Sequence, residues 1–147
     1  MRSAFVSLAV VFLLAWLGSY PAAAQSSGEK SLHAFLAPAK GAKRTTTFST
    51  DAPVIYAFWE GKGLDAGDAI QVIWIAEDIG DIGRKNTEIR RADFRIYKPE
   101  QVGAFSLSRP GAKVWPIGQY RVEIYINGGI AEVVKFTITP GVTIETH

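Results

Sequence analysis

The chain has 147 residues, 48% of them hydrophobic and 20% charged, with a formal net charge of +2 and an isoelectric point near 8.9. It contains no cysteine, two histidines and one methionine. That composition excludes a disulfide framework, a thiolate-held zinc or iron–sulfur centre, a cysteine nucleophile and a lipid-anchored N-terminal cysteine. It is also a poor composition for a copper carrier. The length suits one domain.

Arg2 is followed by an apolar run over 4–17, which holds Phe5, Val6, Leu8, Val10, Val11, Phe12, Leu13, Leu14, Trp16 and Leu17. Gly18, Ser19 and Pro21 then break a helix, and Ala22, Ala23 and Ala24 put small residues before a cleavage point. This is the charge, core and A-x-A order of a secretory signal peptide. The run of about 14 residues is short of the roughly 20 that span a bilayer. Cleavage after Ala24 is expected, leaving Gln25 as the mature N-terminus, with no later span. Loss of Arg2 leaves a nearly balanced protein, which argues against nucleic-acid binding. Export to the periplasm or the medium follows.

Residues 25–43 read as a flexible tether with a short apolar patch over 32–36, room for an edge strand or a helical turn. Strand signals then recur between Gly, Pro, Asp and Asn punctuation. They cover 44–49, 54–60, 69–77, part of 87–97, 103–108, 119–127 and 130–139, with 98–102 as one turn and 141–147 as a tail. Tyr120, Val122, Ile124 and Ile126 share one face, and Arg121 and Glu123 the other. Val134, Phe136 and Ile138 alternate likewise with Lys135 and Thr137. That period of two marks half-buried antiparallel strands. Asn127-Gly128-Gly129 supplies the tight hairpin between them. The stretches 54–59 and 70–75 are apolar on both faces. The expected core is Tyr56, Phe58, Val72, Trp74, Leu107, Tyr120, Val122, Ile124, Val134 and Phe136.

About seven short strands in about 100 residues point to an all-β sandwich. Gly118-Gln119-Tyr120-Arg121-Val122 resembles a tyrosine corner, with Val122 where antibody domains carry a cysteine, and Trp74 matches a core tryptophan. With Trp115-Pro116 ahead and a glycine hairpin behind, 45–139 resembles immunoglobulin-like modules of exported bacterial proteins. The resemblance implies an antiparallel sandwich over 44–140; it implies no activity.

Chemical motifs are sparse. Ser27 and Lys30 have S-x-x-K spacing but sit in a polar segment rather than on a buried helix. Gly61-Lys62-Gly63 and Gly67 miss the spacing of a phosphate loop and precede a strand. His33 and His147 lie far apart. Asp65, Asp68, Glu77, Asp78 and Asp81 lack the order of a calcium loop and read as solvated charges. Arg109-Pro110 resembles the R-P-aromatic loop of chagasin-type cysteine-protease inhibitors, but Gly111 replaces the aromatic and their N-P-T-T-G loop is missing.

Charge is segregated. Residues 60–81 hold Glu60, Asp65, Asp68, Glu77, Asp78 and Asp81 against Lys62 alone. Residues 84–98 hold Arg84, Lys85, Arg90, Arg91, Arg95 and Lys98 against Glu88 and Asp93. Adjacent strands would neutralise each other through cross-strand pairs, or the bipolar surface would steer a partner or self-association. On the second reading the strand within 87–97, with Arg90, Arg91 and Arg95, would be an edge strand guarded by charge. The candidate interaction surface is Arg90, Arg91 and Arg95 with the aromatics Trp59, Trp115 and Tyr125, rings that serve protein hot spots or sugar stacking when exposed. The expectation is an exported, non-enzymatic binding module without cofactor or metal, engaging a protein of the envelope or extracellular space. A carbohydrate or other small ligand is the alternative, and a protease inhibitor a more distant one.

Overall fold

The computed structural model describes residues 29–109, 111 and 113–141. The expected signal peptide, Ser27, Pro110 and His147 lie outside the described residues. Among the described residues there are eight strands: β1 (Ser31–Ala37), β2 (Thr47–Ser49), β3 (Val54–Lys62), β4 (Ala69–Asp78), β5 (Thr87–Arg95), β6 (Gln101–Ser108), β7 (Gly118–Ile126) and β8 (Gly129–Thr139). A single 3₁₀ turn, Gly80–Ile82, lies between β4 and β5.

The strands form two sheets, ordered β1-β3-β6 and β2-β8-β7-β4-β5. Every pairing is antiparallel except that of the short β2 with β8. The β7–β8 hairpin closes through Asn127 (φ 49°) and Gly128 (φ 83°), with Ile126 opposite Gly129. Both turn residues take the positive φ of a two-residue hairpin that matches strand twist.

The core lies between the sheets. Leu32 and Leu36 of β1, Ile55, Ala57 and Trp59 of β3 and Leu107 of β6 face Ile70, Val72 and Trp74 of β4, Tyr120, Val122 and Ile124 of β7, and Phe136 and Ile138 of β8. Each large side chain so buried contributes roughly 1.5–3 kcal/mol over exposure. The Phe136 ring is stacked on Tyr120 at 5.3 Å and meets Trp74 edge-on at 6.1 Å. The Tyr120 hydroxyl donates to the Pro116 carbonyl at 2.6 Å, which closes the tyrosine corner.

Four expectations are corrected. Residues 25–43 are not a tether throughout, because β1 pairs with β3 along its length and buries Leu32, Leu36 and Ala37. Tyr56 and Phe58 are not core residues; they point outward, and Ile55, Ala57 and Trp59 take the inner face. Val134 is only partly buried and packs against the core margin. The single turn expected over 98–102 is shorter, since Gln101 already opens β6. No helix among the described residues is long and apolar enough to cross a membrane.

Candidate functional site

Strand β3 decides what the three-stranded sheet shows to solvent. Alternation puts Tyr56, Phe58 and Glu60 on its outer face. The register places Phe35 of β1 directly opposite Phe58, and Ala104 of β6 on the other side of it. Three rings therefore run in a row. Phe35 and Phe58 have centroids 5.6 Å apart, and Tyr56 and Phe58 stack in near-parallel planes at 5.6 Å. The Arg44 guanidinium lies 3.9 Å over the Phe35 ring, a cation–π contact.

This row borders a concavity of about 600 Å3. Phe35, Phe58, Val102 and Ala104 form its apolar part, with Lys40, Arg44, His33 and Glu60 as polar groups. Val102 is 74% exposed, an unusual setting for a valine. His33 is tied at its Nδ1 to Glu132 at 3.3 Å, and Glu60 lies 3.9 Å from Lys62. Lys40 and Arg44 have no ion pair among the described residues, so the concavity has a cationic side.

The six residues named from the sequence do not form one surface. Trp59 is 4% exposed and packs against Phe94 and Phe105 at 5.3 and 5.9 Å. Its indole lies flat over Gly103, whose missing Cβ leaves the room, and its Nε1 has no hydrogen-bond partner among the described residues. Trp115 is 3% exposed, and its Nε1 donates to the Ala52 carbonyl at 2.7 Å. Both tryptophans are therefore core groups and not exposed stacking platforms.

Tyr125, Arg91 and Arg95 share the outer face of the five-stranded sheet, while Arg90 points to the opposite face. The Tyr125 hydroxyl donates to Glu123 at 2.9 Å, and that contact holds the phenol above its usual pKa. Arg91 makes a two-pronged contact with Glu88, both distances 2.9 Å, and Arg95 donates to the Gly67 carbonyl at 3.0 Å.

The segregated charges are matched mostly by other partners than each other. Only Lys85–Asp78, at 3.3 Å, joins the basic segment to the acidic one as an ion pair. Glu77 pairs instead with Arg121 of β7 at 3.2 Å and Lys135 of β8 at 3.4 Å. Asp65 and Asp68 pair with Lys30, at 2.9 and 2.8 Å. No group of three or more His, Cys, Asp or Glu side chains suited to a metal ion occurs among the described residues.

The sequence did hold a signal for the ring row. Tyr56 and Phe58 share their parity with Glu60 and Lys62, so the charged end of β3 marks their face as the outer one. Phe35 lay in the segment read as a tether and Arg44 at the start of the strand expected over 44–49, and nothing local joins either to Phe58.

No protein-family model matches the sequence, and no curated protein is similar to it in sequence. Solved structures do share its fold. A β-glucosidase from Listeria innocua in complex with gluconolactone matches 79% of this chain at 15% identity, with a TM-score of 0.52. This chain spans 16% of that enzyme's chain. An immunoglobulin-like protein from Pseudomonas aeruginosa matches 76% of this chain and 93% of its own at 13% identity, with a TM-score of 0.46. At such identities the likeness is one of fold. The chain is a two-sheet, almost wholly antiparallel β-sandwich with a tyrosine corner.

Proposed function

We propose that the protein is an exported, non-catalytic binding module whose outer β1-β3-β6 face engages a protein partner. The observation that carries this reading is the ring row Phe35–Phe58–Tyr56, capped by Arg44 and bordering the concavity of about 600 Å3. Rings and Val102 supply apolar area, and an arginine among aromatics is the usual composition of an interface centre. The near-parallel Tyr56 and Phe58 rings cover each other's faces, and Arg44 covers a face of Phe35. Little flat ring surface is left for a pyranose, while side chains of a protein can enter between ring edges. The signal-peptide pattern before Gln25 supports export, to the periplasm or the medium.

The experiment is site-specific photocrosslinking in the source cells from Val102, with Ile130 on the other sheet as the control position. One protein adduct is expected from Val102, lost when Phe58→Ser and Arg44→Glu are combined. Equal adducts from both positions, or an adduct that survives the double substitution, would overturn the reading. A glycan-dependent adduct would move the assignment to a carbohydrate. Mass analysis of the purified protein checks export, with an N-terminus at Gln25 expected.

A further inference from the structure

A second concavity, of about 390 Å3, opens at the end of the sandwich where β4 turns into β5 and the β6–β7 connection crosses. Its floor is the inner face of the five-stranded sheet, at Ala76 and Tyr120, with Trp115 and Ile79 as walls. The side-chain donors of floor and wall are already committed. Trp115 Nε1 donates to the Ala52 carbonyl at 2.7 Å, the Tyr120 hydroxyl to the Pro116 carbonyl at 2.6 Å, and the hydroxyl of Thr87, which also lines the cleft, to the Arg84 carbonyl at 2.7 Å. The interior therefore offers mostly hydrocarbon surface and no free side-chain donor, so it suits an apolar group.

The mouth differs from the floor. Arg84 and Glu88 are the ionic residues that line it. Glu88 is held at both carboxylate oxygens by Arg91, each at 2.9 Å, whereas Arg84 has no ion pair among the described residues. The free charge at the opening is thus a guanidinium, the side chain best shaped to grip a carboxylate with two parallel hydrogen bonds. Of the exposed apolar residues, Ile89 (40% exposed) lines the cleft, and Ile82, Val114 and Ile117 are the chain neighbours of its lining residues Gly83, Trp115 and Pro116. Exposed hydrocarbon at an apolar cleft is a surface feature of binding sites.

We propose that this cleft binds a small amphipathic carboxylate, a medium-chain alkyl or aryl acid, with its apolar body against Trp115, Tyr120 and Ile79 and its carboxylate on Arg84. The site is separate from the ring row on the other sheet, and neither reading depends on the other.

The test is a titration of the purified chain with octanoate, followed by the indole N–H signal of Trp115 in a 15N–1H spectrum. Octanol serves as the uncharged comparison, and both are kept below self-association. A saturable shift of the Trp115 signal is expected, with octanoate bound roughly three- to tenfold more tightly than octanol, the scale of one charge-assisted contact near solvent. Arg84→Gln, an exposed position that leaves the core untouched, should abolish that preference and keep octanol binding. Combined Phe58→Ser and Arg44→Glu should leave the titration unchanged. A Trp115 signal that does not saturate, equal affinity for the two probes, or a preference that survives Arg84→Gln would overturn the proposal. So would loss of the shift in the variant of the other sheet.

Discussion

Lys30 Nζ donates to both carboxylate oxygens of Asp68, at 2.8 and 2.9 Å, and so ties the chain just ahead of β1 to the turn before β4. Asp68 is 7% exposed and also receives Asn127 Nδ2 at 2.8 Å and the Asp65 amide at 2.7 Å. Burial pushes its pKa up, but Lys30, Asn127 and the amide together outweigh that and hold it at about 2, against 3.8 for a free side chain. The folded state therefore binds the proton less readily than the unfolded chain. This contribution is complete above pH 3.8 and is lost as pH falls towards 2. Asp68→Asn replaces one acceptor oxygen with an NH2 donor that faces two donors, and it should cost about 2 kcal/mol at neutral pH. Urea unfolding at pH 7 and at pH 2.5 checks this, with the difference between the proteins shrinking at the lower pH.

The tyrosine corner makes a prediction at the other end of the pH scale. Burial raises the Tyr120 phenol from 10.0 to about 12. The unfolded chain gives up that proton first, so stability should fall between pH 10 and 12. Tyr120→Phe removes both the titration and the bond to Pro116. It should lose about 1 kcal/mol at pH 7 and show a flatter decline above pH 10. Thermal melts of both proteins across that range give the answer, and equal slopes would separate Tyr120 from the decline.

The outward setting of Phe58 separates stability from binding. Phe58→Ser should leave the melting temperature close to that of the parent, because the side chain faces solvent and its neighbours Phe35 and Tyr56. Ile55→Ala, one alternation away and fully buried, should cost about 2–5 kcal/mol. The opposite ranking would place the sheet in the other register.

These two residues also mark how far the sequence can be read. Strands β7 and β8 were legible because Arg121 and Glu123, or Lys135 and Thr137, label the outer face against Val122, Ile124 and Phe136. Residues 54–59 carry no such label within themselves, since both parities are apolar, and only Glu60 and Lys62 beyond them mark the outer face. Their faces are set by packing, in which Trp59 needs the space over Gly103, a residue more than forty positions away. β1 was obscured for a related reason. Its Leu32 and Leu36 are spaced as a helical turn would space them, and only pairing with β3 makes them a strand. The ring row joins residues of two such segments, so the candidate surface was the least legible part of the molecule. The charged edge was one of two readings that the charge segregation left open, and β5 does lie at the end of its sheet.

Two glycines should differ sharply in tolerance. A Cβ on Gly118 (φ 155°) would fall on the Asp78 carbonyl oxygen and lie 2.9 Å from Ile79 Cα, both backbone of the β4 end. Backbone paired into a sheet cannot retreat, so Gly118→Ala should cost upwards of about 3 kcal/mol. A Cβ on Gly103 would meet the Trp59 indole at 2.5–2.8 Å. The ring is a side chain that borders the open concavity of about 600 Å3 and can shift into it, so the cost should be nearer 1–2 kcal/mol, at the lower end for overpacking. Denaturant midpoints rank the two, and a blue or red shift of tryptophan emission should accompany Gly103→Ala alone.

The free edge of β5 gives the last prediction. Its backbone pairs with β4 on one side, and among the described residues no strand follows it in the sheet order. Arg91, Asp93 and Arg95 line one face, Arg90 the other, and all four are exposed. Charges so placed make a second strand costly to add, because each would lose water on pairing. Replacing Arg91, Asp93 and Arg95 with threonine keeps strand propensity and removes that cost. The variant should then associate with rising concentration, seen as an increasing mean mass by light scattering where the parent shows none. Its melting point should stay within about 1 kcal/mol of the parent in free-energy terms, because the Arg91–Glu88 contact is solvent-screened. If the variant scatters as the parent does, the arginines of β5 have a different role, and the guard against edge pairing must lie in the bulge between Trp74 and Ile75 that twists this strand.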